Sequence, residues 1–104
     1  MHSIPDKAEV GIDFPDKLYI GGFGRDSQFE AKAEEDGVLL RLVRAGEEKR
    51  VVEIHLHHLL LANILDDLAA SLSARAPMDE VHRQHLADAA HRFAAALDRT
   101  AQSS

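Results

Sequence analysis

Apolar and polar positions alternate along the first half of this chain, and the period lengthens abruptly near residue 57. Gln28–Glu34 is the cleanest case: Phe29, Ala31 and Ala33 point one way, and Gln28, Glu30, Lys32 and Glu34 the other. Asp36-Gly37 follows, with residues that tolerate a tight hairpin turn. Val38–Arg44 and Lys49–His55 read as two further strands, joined by a turn over Ala45-Gly46-Glu47-Glu48. Lys17–Phe23 is predicted as the first strand of the set, its Gly21-Gly22 suggesting a bulge or a close backbone approach. Residues 1–16 hold Pro5, Gly11 and Pro15 and are predicted to be a mobile or irregular N-terminal arm, with room for a short edge pairing over Val10–Phe14. Short turns throughout imply an antiparallel four-stranded meander.

From about His57 the period becomes 3.6. Leu61, Ile64, Leu65, Leu68 and Leu72 form one helical stripe, with Asn63, Asp66 and Asp67 opposite. Pro77 ends this helix by pushing its predecessor out of the α region. A second helix is predicted from Asp79 or its neighbours to about Arg99, with an alanine-rich stripe of Leu86, Ala89, Phe93, Ala96 and Leu97. Residues 100–104 should fray. The expected fold is α+β: a four-stranded antiparallel meander followed by a two-helix antiparallel hairpin packed on one sheet face, one domain over residues 17–99.

Sheet parity sorts the strand residues further. Val52, Ile54 and Leu56 should face the helices, with Leu40 and Leu42 in the same layer. The other face then carries Leu39, Arg41, Val43, Val51, Glu53 and His55. Half apolar and half charged, it suits an interface better than a permanent water-facing surface. A homodimer is therefore expected, sheet to sheet or edge to edge, with room for an unidentified protein partner.

Composition narrows the classes. The chain of 104 residues carries no cysteine, which excludes disulfides and Cys-ligated metal sites and fits a reducing cytoplasm. Net charge is −6 with histidines neutral, and both halves are mildly acidic, so nucleic acid and anionic membranes are disfavoured as partners. No run approaches the roughly 20 apolar residues of a membrane span, and no apolar signal segment opens the chain. Gly21-Gly-Phe-Gly-Arg-Asp-Ser27 lacks the Lys-Ser/Thr ending and following helix of a phosphate loop, so it reads as a glycine-rich turn.

Seven histidines give the only hint of chemistry. His57 is expected on the apolar stripe of the first helix, His82 on that of the second, and His55 on the open sheet face. His55 and His57 straddle the predicted strand–helix junction and need not face alike. In a helical hairpin His57 and His82 stand about 22 Å apart, too far to share a metal within one subunit. His82 and His85 form an i,i+3 pair that supplies two ligands, where zinc takes three or four. On a helical wheel Asp79 and Glu80 point away from His82. His57 and His82 are more simply core-edge residues hydrogen-bonded to a backbone carbonyl, and His58, His85 and His91 solvent-facing or boundary residues. The favoured reading is a non-catalytic homodimeric interaction module without a cofactor. The alternative is a protein that binds zinc or nickel through His55, His57, His82 or His85.

The order of four meander strands and a long helix resembles, in topology, the repeat of the PUR and Whirly nucleic-acid-binding folds. That resemblance implies nucleic-acid binding through the sheet. No motif of either family is matched, and the open face lacks their basic and aromatic residues, so no binding residue is carried over.

Overall fold

The computed structural model describes residues 1–46 and 49–102. It is an α+β chain with six strands in antiparallel pairs and two helices. The elements are β1 (His2–Ser3), β2 (Ala8–Asp13), β3 (Leu18–Phe23), β4 (Ser27–Ala33), β5 (Gly37–Arg44), β6 (Arg50–His57), α1 (His58–Ser73) and α2 (Glu80–Gln102). Residues 1–69 form one compact unit, and those from 70 onward a second.

The first unit holds a four-stranded sheet in the order β1-β4-β5-β6 and a separate two-stranded ribbon of β2 and β3. This corrects the simple meander. The predicted strand over Lys17–Phe23 exists as β3, but it pairs with β2 rather than with β4. The place beside β4 is taken by β1, through His2↔Phe29 and Ser3↔Gln28, and the Ile4 amide extends this contact by donating to the Ser27 carbonyl at 3.1 Å. The strand order behind the resemblance to PUR and Whirly repeats is therefore not the one found.

Residues 1–16 hold β1 and β2, for identifiable reasons. Ala8, Val10 and Ile12 alternate with Glu9, Gly11 and Asp13, a period-2 pattern with glycine in a polar slot. Pro15 is a turn residue: Phe14 and Lys17 exchange backbone hydrogen bonds of 2.7 and 3.2 Å across Pro15-Asp16. Proline suits the first corner of such a turn because its ring presets φ. The ribbon register runs unbroken from Ala8↔Phe23 to Asp13↔Leu18, so Gly21-Gly22 sits in a regular ladder without a bulge.

β4, β5 and β6 follow the predicted alternation. The β4–β5 turn is closed by the Glu34 amide on the Gly37 carbonyl at 2.8 Å, with Glu35 and Asp36 at its tip. Gly37 is the first residue of β5 and pairs with His57; its φ is not positive. Glycine is needed there because β6 passes close: a Cβ would stand 2.1 Å from the Leu56 carbonyl oxygen. In the β5–β6 turn Gly46 takes φ 123°, a region few side chains tolerate. Glu47 and Glu48, also expected in that turn, lie outside the described residues.

The buried apolar residues of the described chain are Ile4, Phe23 and Leu39, and Ser27 is its buried polar residue. Phe23 ends the ribbon opposite Ala8, where the chain turns through Gly24-Arg25-Asp26 into β4. The Ser27 amide closes that turn on the Gly24 carbonyl, and its hydroxyl donates to Asp26 Oδ1 at 3.1 Å. A shallow groove of 380 Å³ runs along the ribbon and the start of β6, lined in part by Val10, Tyr19, Phe23, Arg50 and Val51.

The helices start and stop near their predicted limits. α1 begins one residue later than the period suggested, because β6 continues through His57. α2 runs to Gln102, beyond the expected Arg99, and Ser103 and Ser104 lie outside the described residues. No helix among the described residues is long and apolar enough to cross a membrane.

Candidate functional site

The sheet offers two unlike faces. Register places Phe29, Ala31 and Ala33 of β4 in rows with Leu42, Leu40 and Val38 of β5 and with Val52, Ile54 and Leu56 of β6. All nine side chains are apolar. Leu40 and Ile54, near the middle of this face, are 38% and 43% exposed. β6 is the outermost strand on its side of the sheet and offers eight residues of edge.

The mixed face carries the six residues singled out as an interface. Leu39 is buried, Arg41 and Val43 are half-buried, and Val51, Glu53 and His55 are exposed. Arg41 and Glu53 are direct cross-strand partners, with Nε and Oε1 3.8 Å apart. The charges of this face thus partly answer one another, which lowers the gain from covering them.

The histidine expectations need three corrections. His57 is the last residue of β6 and is exposed, not a first-turn residue on the stripe of α1. His55 and His57 therefore belong to one strand, two residues apart, and project to the same face. Each meets an acid of the β4–β5 turn: His55 Nε2 lies 3.1 Å from Glu34 Oε1, and His57 Nδ1 lies 3.9 Å from Asp36 Oδ2. Gly37 stands between these pairs in the register, with no side chain to keep them apart. Glu34 Oε1 is shielded from solvent, with the His55 imidazole as its close neighbour.

His82 is the third. Its side chain is largely exposed, and Asp79 does not point away from it. Asp79 caps α2: its carbonyl accepts from the Arg83 amide at 3.0 Å, and Oδ2 accepts from the His82 amide at 3.2 Å. Oδ1 meets His82 Nδ1 at 2.6 Å. A capping residue has non-helical backbone angles, so a helical wheel misplaces its side chain. The hydrogen bond from His82 holds the Asp79 carboxyl below its ordinary value. Glu80, clasped by the Arg83 guanidinium, is lowered in the same way, and Arg83 is raised by Glu80. His85 of the proposed chelating pair is exposed on α2, as are His58 and His91 on their helices.

Among the described residues, no three His, Asp or Glu side chains already stand together at metal-binding spacing. Glu34 and Asp36 were not singled out from sequence. A two-residue loop after Glu34 sets Glu34 against Gly37, and pairing Arg44 with Arg50 sets Gly37 against His57; the two registers together draw both acids toward the histidines. Searches against protein-family models, curated proteins and solved structures return no match.

Proposed function

We propose that the chain is a non-catalytic, cytoplasmic homodimeric interaction module whose first partner is a second copy of itself. The observation that carries this reading is the apolar sheet face, nine carbon-only side chains in register, ending on the open edge of β6. An eight-residue edge strand without proline or bulge is a template for further pairing. Two β6 strands paired antiparallel would join two sheets into one and make the apolar faces continuous. Val51, Glu53 and His55 of the mixed face lie on the same strand and would line the seam; Leu39, Arg41 and Val43 stand one strand behind.

Completing the burial of a Leu or Ile side chain that is about four-tenths exposed contributes roughly 1 kcal/mol. Ile54, on the seam strand itself, then offers about 1 kcal/mol per subunit before α1 is considered; Leu40 stands one strand behind the seam. α1 adds Leu60, Leu65 and Leu68, all exposed. Sedimentation velocity over a wide concentration range tests the proposal. A dimer that Ile54→Arg converts to monomer supports it. A monomer at every concentration overturns it.

A further inference from the structure

We propose that His55, His57, Glu34 and Asp36 form a divalent-metal site over Gly37, taking a cation of the zinc or nickel class. The placement follows from the register. β5 separates β4 from β6, and at the row of Glu34, Gly37 and His57 the middle strand presents no side chain. Side chains of the flanking elements can therefore meet above bare backbone. His55 and His57 lie two residues apart on β6, about 6.8 Å along the strand. Imidazoles at this spacing on one strand face can turn toward a common point between them.

The distances suit a shared ion. Two ligands bound to one tetrahedral zinc at about 2.1 Å stand about 3.4 Å from each other. The His55–Glu34 and His57–Asp36 pairs, at 3.1 and 3.9 Å, bracket that value. The donors now stand as two pairs rather than one shell. Closing them needs movement chiefly of His57 and Asp36, whose side chains are 71% and 66% exposed and free to turn. Glu34 is the fixed member, 29% exposed. Its Oε1 is shielded from solvent and already meets His55 Nε2, so it stands where a cation beside that imidazole could be held. Two neutral imidazoles and two carboxylates also balance the charge of a divalent ion, and mixed nitrogen and oxygen donors fit zinc or nickel better than calcium.

Zinc chloride added to the full chain tests the site, with melting temperature and native-mass stoichiometry as readouts. At zinc about 100-fold above Kd the folded-to-unfolded ratio rises about a hundredfold, seen as a higher Tm. We expect one zinc per chain, loss of the Tm rise in H55Q/H57Q, weakening in Glu34→Gln, and an unchanged rise in H82Q/H85Q. Both histidines of β6 are exposed, so their substitution leaves the sheet intact and the comparison readable. Absence of any zinc-dependent rise overturns the proposal, and so does a rise that survives in H55Q/H57Q.

Discussion

Replacing Gly37 with alanine should weaken the sheet, although glycine to alanine in a strand usually gains roughly 0.5–1 kcal/mol. The added Cβ would stand 2.1 Å from the Leu56 carbonyl oxygen and 2.9 Å from His57 Cα. A relaxed carbon–oxygen contact is about 3.3 Å, so the shortfall is about 1.2 Å. Both obstacles are backbone and cannot rotate aside, so β6 must move away from β5 at the Gly37↔His57 pair. Overpacking of this kind costs about 1–3 kcal/mol, and each ladder hydrogen bond lost there adds about 1 kcal/mol. Set against the entropic gain, the net loss is about 2–3 kcal/mol. In a chain of this size that lowers Tm by roughly 10–20 °C. Thermal and urea unfolding followed by circular dichroism, at fixed protein concentration, would measure it. Gly11→Ala is the matched control: nothing lies within 4 Å of its Cβ and its φ is not positive, so it should be neutral or slightly stabilising. A Gly37→Ala protein as stable as wild type would refute the β5–β6 register and the floor of the proposed metal site with it.

Further outcomes are expected elsewhere. Phe23→Ala should cost about 3–5 kcal/mol in urea unfolding, because Phe23 is among the few fully enclosed side chains. Leu59→Gln should change monomer stability by less than about 0.5 kcal/mol, since the side chain is 82% exposed; any loss would show up as weaker self-association. Asp79→Ala should unwind the first turn of α2, read as loss of helical Cα shifts at Glu80–Arg83 in NMR spectra. The same turn should respond to acid. Folded-state values of Asp79 and Glu80 lie below their ordinary 3.8 and 4.5, so their contribution is complete above those values and fades as pH falls through the lower folded ones. Helical shifts at Glu80–Arg83 that stay constant to below both values would contradict this.

Much of the fold is legible in the sequence because periodicity is a local property. The alternation of Phe29, Ala31 and Ala33 and the stripe of Leu61, Ile64 and Leu68 report their own strand or helix without knowledge of neighbours. Partner choice is not local. Leu18–Phe23 reads equally well as a neighbour of β4 or of β2, and the two residues of β1 are too few to show any period at all. His57 reads as helical for a related reason: the apolar run Leu59-Leu60-Leu61 draws the helical period back toward it, while its pairing with Gly37 keeps it in the strand. Glu34 and Asp36 come close to the histidines only through that pairing, 20 residues along the chain, so a search for ligand spacing in sequence passes them by.

The two edges of the sheet differ, and this sets how far association can go. On the β1 side Ser27, Gln28 and Phe29 of β4 are covered, and the rest of that edge alternates Glu30 and Lys32 with alanine. Charges of that kind discourage pairing. β6 is the longer open edge, eight residues in which Val51, Val52, Ile54 and Leu56 are interspersed with Arg50, Glu53, His55 and His57. If two copies join β6 to β6 about a twofold axis, each uses up the longest open edge of its four-stranded sheet, while the outer edges of the β2–β3 ribbon stay open. A twofold pairing of this kind would close the four-stranded sheets at two, and further growth would have to begin from the β1–β4 side or from the ribbon.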